Sequence, residues 1–179
     1  MFLSVVFTWF RYAAKAVATG FIFTTLLPLI FGLTLGIPTA QVLGLIASTV
    51  ILQANAAFVG VGMGIHPAAI LTIMTLVEVG AVLALYFVCD AFAFQSARVG
   101  NLLKRTEEKM KGVPLLARYG AVTLLILPVV PPFGLYSSVV IGWVLQWDRR
   151  LSFVFITIGW IGVATFLIFI ALGFVSVFV

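Results

Sequence analysis

Charge is what this sequence has least of. Five acidic and ten basic residues are all that 179 positions carry, 8% of the chain, against 64% hydrophobic residues. A soluble domain of this size needs more polar surface than that, so the composition excludes one and defines a membrane class. Cysteine is nearly absent as well. Cys89 is alone, which rules out an intrachain disulfide and a cysteine-based metal site, and its apolar surroundings suit a small buried hydrophobe. One histidine, one cysteine and scattered carboxylates supply no metal centre, and no cofactor is expected. Enzyme motifs are missing too: there is no Ser/His/Asp arrangement, no phosphate loop and no paired intramembrane Asp. The net charge of +5 is spread through membrane flanks without the dense stripe that nucleic acid requires, so the partner it implies is anionic lipid.

What the chain does have is apolar length, cut by proline and glycine. No charge occurs from Ala16 to Val77. Breakers fall at Pro28, at Gly36-Ile37-Pro38, and at Gly60, Gly62 and Gly64 ahead of His66-Pro67. Residues 1–15 read as an interfacial segment with Trp9, Phe10 and Tyr12 at headgroup level; Arg11 and Lys15 follow the apolar run, whereas a signal peptide places its charge first. Ala16-Val17-Ala18 imitates a cleavage site, and processing there is the lesser reading. Residues 17–36 make a span. Pro67 suits a first helical position, and residues 67–97 make a second span holding Glu78 and Asp90. Residues 98–118 are the one hydrophilic stretch, with Arg98, Lys104, Arg105, Lys109, Lys111 and Arg118, and the positive-inside rule makes them cytoplasmic. Residues 151–178 form the last span, with Asp148 placed to cap it.

The most interrupted stretch is Leu127-Pro128-Val129-Val130-Pro131-Pro132-Phe133-Gly134. Prolines so close together cannot lie inside a continuous helix. The stretch lies between two basic turns, 98–118 and Asp148-Arg149-Arg150, that belong on one face of the membrane. Two full crossings take ~40 residues, more than residues 119–147 provide, so a re-entrant hairpin with its tip at Pro128, Pro131, Pro132 and Gly134 is expected. The same reasoning on the outer face makes residues 38–65 a second hairpin, entering from the opposite side, with its tip near Gln53-Ala54-Asn55. One common offset also aligns Gly60 with Gly142, His66 with Asp148 and Gly80 with Gly162. The expected fold is therefore an all-α integral membrane bundle with two oppositely oriented re-entrant hairpins in inverted repeat, an arrangement found in transporters. The competing fold is a plain bundle of five or six proline-kinked helices.

The residues Gly64-Ile65-His66-Pro67, Arg118-Tyr119-Gly120, Pro128 through Gly134, Gly142, Asp148-Arg149-Arg150 and Gly159 resemble the small multidrug export family, within the wider DedA/VTT-like superfamily. The similarity covers roughly residues 50–173. It implies paired re-entrant hairpins and proton-coupled transport or lipid-phosphate flipping. DedA relatives carry an acidic residue at the first tip and arginines around the second proline motif. Here the first tip offers the amides Gln53 and Asn55, and the second carries no cation to hold a phosphate.

Glu78 is the leading candidate for chemistry. It lies ~16 Å along the helix from Pro67, deep in the membrane, where a charged carboxylate costs several kcal/mol and is either protonated or paired. The functional reading is a proton or cation site with Gln53 and Asn55 as neighbours; the structural one is a neutral Glu bonded to a freed backbone carbonyl. Asp90 sits near the cytoplasmic interface, where pairing with a Lys or Arg of the 98–118 loop competes with a transport role. His66 is either a proton entry group or a wet helix-start residue. Tyr136, Ser137 and Ser138 either line a polar cavity or satisfy broken backbone. Two functions follow: a small transporter, monomeric or homodimeric, working as a multi-pass plasma-membrane protein with its N-terminus inside, or a non-transporting accessory subunit held among other membrane subunits.

Overall fold

The computed structural model describes residues 2–95, 120–125, 134–145 and 147–178. Every regular element among them is helical: α1 (Phe2–Phe21), a π-helical turn (Ile22–Leu26), α2 (Leu27–Thr34), α3 (Thr39–Leu52), a 3-10 turn (Gln53–Asn55), α4 (Ala56–Gly62), α5 (Pro67–Gln95), a 3-10 segment (Gly120–Leu125), α6 (Gly134–Val144) and α7 (Arg149–Phe178). Four segments are long and apolar enough to cross a membrane: Arg11–Thr34, Thr39–Gly62, Pro67–Phe92 and Arg149–Gly173. The stretch 98–118 and the tip residues Pro128, Pro131 and Pro132 lie outside the described residues.

The contacts divide the chain into two compact units, residues 1–19 with 82–159, and residues 20–81 with 160–179. α1 runs through the π turn, where the second unit begins, directly into α2. Pro28 has no N–H and its ring crowds the carbonyl four residues back, so the ladder slips there by one residue. Leu27 N–H accordingly donates to Ile22 O, five residues earlier. Sequence reading separated an interfacial segment 1–15 from a span 17–36; the backbone shows one helical path across that boundary.

The two following turns share one local design. Gly36 and Gly64 adopt φ +72° and +73°, the left-handed conformation that a glycine takes without steric cost. Ile37 N–H then donates to Gly32 O and Ile65 N–H to Gly60 O, closing the ends of α2 and α4. Pro38 and Pro67 follow and start α3 and α5.

Between those turns the chain doubles back. The Gln41 side-chain amide donates to Met63 O at 3.4 Å, across 22 residues of sequence. A straight helix would hold them ~33 Å apart. The reversal falls at Gln53, which has φ 53° and ψ −131°, a conformation costly for any residue with a Cβ. Small residues let the arms close: Ala54, Ala56 and Ala57 are buried at the bend, and a Cβ on Gly60 would come within 2.9 Å of Ile70 Cγ1. Thr39–Gly62 thus has the length of a crossing, while its two halves α3 and α4 fold back against each other.

In the first unit the 3-10 segment seats against α6 and α7. Leu124 is fully buried and lies beside Gly142, while the Leu125 carbonyl occupies the space a Cβ on Gly159 would take. Asp148 caps α7 as expected, its Oδ1 accepting the N–H groups of Arg150 and Leu151 at 2.9 Å each.

Candidate functional site

The first half of α5 is apolar on the face it buries. Ile70, Ile73, Met74 and Val77 are fully buried, and Glu78 belongs to the same face with only 2% of its surface exposed. Neither Glu78 carboxyl oxygen has a hydrogen-bond partner among the described residues. No Lys, Arg or Asp occurs in residues 20–81 or 160–179, so the unit contains no countercharge; His66 is its one other titratable group. Thr75, one turn before Glu78, is in the same state, its hydroxyl buried and unpartnered. Elsewhere the helix threonines Thr24, Thr49, Thr72 and Thr157 each donate to the carbonyl four residues back, at 2.7–2.8 Å. Thr75 leaves that local acceptor unused.

Two features fix α5 around this carboxyl. Gly80 meets the π turn so closely that a Cβ would come within 2.6 Å of Phe23 Cβ and 2.8 Å of Thr24 N. Ile70 meets Gly60 of α4. Measured from that contact, Glu78 lies ~12 Å further along α5 and the bend at Gln53–Asn55 lies ~10 Å back along α4 and its 3-10 turn. The tight turn at Gly64 joins the two helices. Gln53 is half-buried and Asn55 exposed, and neither amide is hydrogen-bonded to Glu78.

The other candidates are dispersed. His66 Nδ1 accepts the Ala68 N–H at 3.3 Å, and the ring lines a cavity of about 330 Å³ with Phe31, Leu35, Ile37 and Thr72. Asp90 belongs to the first unit. Its Oδ2 pairs with Arg149 Nη1 at 2.9 Å and its Oδ1 accepts the Trp143 indole N–H at 3.1 Å. The Arg149 guanidinium lies 4.6 Å from the Tyr86 ring centroid and 5.5 Å from that of Phe87. A cavity of about 520 Å³ opens beside it, lined by Leu83, Tyr86, Asp148, Arg150 and Phe153. Gly134 begins α6; Tyr136 and Ser137 are half-buried on it and Ser138 is fully buried.

Sequence reading missed Thr75 and the aromatic seat of Arg149. Thr75 had one available signal, its three-residue spacing from Glu78 on an otherwise apolar face. The Arg149 seat had none, because Tyr86 and Arg149 are remote in sequence. Among the described residues no three His, Cys, Asp or Glu side chains gather as a metal site. Fold and site together define a helical protein with four segments able to cross a membrane and one carboxyl buried without a countercharge in its unit. Compared with protein-family models, curated proteins and solved structures, the chain gives no match.

Proposed function

We propose that this protein is a small multi-pass membrane transporter in which Glu78 exchanges a proton as substrate crosses. The observation that carries the proposal is the Glu78 carboxyl, buried in an apolar unit with no cation in it and both oxygens unpartnered. Holding such a group charged costs several kcal/mol, and holding it neutral and unbonded forfeits a hydrogen bond. A group that gains and loses a proton during a cycle gives that cost a use. The doubled-back path of 39–62 supports a re-entrant hairpin. Residues 119–147 are its proposed inverted counterpart, as in DedA-like proteins.

The test uses the full chain in liposomes loaded with a pH-sensitive dye. A panel of lipophilic cations and anions is added outside, and proton flux is recorded. Wild-type protein gives substrate-driven flux; Glu78→Gln, folded and with an unchanged melting temperature, gives none. Equal flux from Glu78→Gln would overturn the assignment.

A further inference from the structure

We infer that Thr75 is the positioning residue for the Glu78 carboxyl, the two forming a proton-binding pair on α5. The inference rests on the reading of Glu78 as a proton-exchanging group and adds a member to that site. Three observations lead to it. Helical side chains lean toward the N-terminus, so a glutamate at position 78 extends over the turn that carries residue 75. The Thr75 hydroxyl is buried and unpartnered, unlike the hydroxyls of Thr24, Thr49, Thr72 and Thr157, which bond back to their own helix. Both Glu78 oxygens are in the same state. The two groups are not bonded to each other in this structure, and the three unsatisfied buried oxygens, one turn apart on one helix, are satisfied together when one water or a side-chain rotation links the carboxyl to the hydroxyl.

The ligand such a pair takes is a proton. A sodium-sized or divalent cation demands more oxygen ligands than two carboxyl oxygens and one hydroxyl provide. A hydroxyl can accept a hydrogen bond from the neutral acid and donate one to the carboxylate, so it serves both protonation states without moving away. No other side chain is needed in the exchange: His66, the unit's second titratable group, begins ~18 Å away along α5.

Infrared spectroscopy of the full chain in lipid tests this directly. The protonated Glu78 carboxyl gives a C=O stretching band, identified by its loss in Glu78→Gln. In Thr75→Val the band moves to higher wavenumber, because the acid has lost a hydrogen bond; in Thr75→Ser it returns. Thr75→Ala removes the same hydroxyl should the valine variant fail to fold. A band that stays in place in Thr75→Val or Thr75→Ala overturns the pairing and leaves the Glu78 assignment to be judged by proton flux. A wild-type spectrum with no band sensitive to Glu78→Gln also overturns the pairing.

Discussion

Arg149 holds Asp90 at 2.9 Å across 59 residues of sequence, and the same guanidinium covers the Tyr86 ring at 4.6 Å. One side chain at the start of α7 thereby fastens α5, whose Asp90 also takes the Trp143 indole of α6. The Arg149 side chain is 47% exposed and Asp90 24%, so solvent screens part of the attraction.

Removing either partner should therefore cost a moderate amount. Asp90→Asn and Arg149→Gln are each expected to lower stability by about 1–2 kcal/mol, and the double variant by less than their sum, with a coupling of ~0.5–1 kcal/mol. Thermal unfolding in detergent measures all three. Additive losses would show that the pair contributes nothing beyond its separate contacts.

Glycines on α4, α5 and α7 should divide sharply. A methyl at Gly80 meets Thr24 backbone and one at Gly159 meets the Leu125 carbonyl, whereas Gly62 and Gly162 have nothing within 4 Å. Gly80→Ala and Gly159→Ala are expected to lose about 1–3 kcal/mol by forcing backbone apart. Gly62→Ala and Gly162→Ala should hold or gain up to ~1 kcal/mol, since alanine is the better helix former. Melting temperatures of the four variants give the comparison; equal losses at all four would contradict these packing contacts.

The reversal at Gln53 makes a chemical prediction. With Cys89 replaced by Ala, the pair Gly44→Cys and Met63→Cys should join through a short thiol crosslinker, because Met63 Cε reaches to 3.0 Å from a Cβ placed on Gly44. A straight crossing over Thr39–Gly62 would put the two thiols ~28 Å apart. Crosslinking read by mobility after cleavage between the two sites decides the path, and no product would restore the single crossing.

Much of this protein is set by local chemistry that can be read along the chain. Low charge defines the membrane class. Gly36, Gly64, Pro38 and Pro67 end and start helices where they stand, because a left-handed glycine and a missing N–H act on adjacent backbone. Asp148 caps α7 for the same reason, and the place of Glu78 along α5 follows from counting residues after Pro67. The continuous helical path from Phe2 to Thr34 escaped that reading, which divided it after Lys15 where the charge ends, although nothing in the backbone breaks there. Tertiary structure alone decided the rest. The partner of Asp90, the meeting of Gln41 with Met63, the approach of Gly80 to Thr24 and the unpaired state of Thr75 each depend on which surfaces touch. Uniformly apolar helices can pack on any side, so periodicity does not choose among their faces. Close contact at small residues and the few polar groups make that choice, and only folding brings them together.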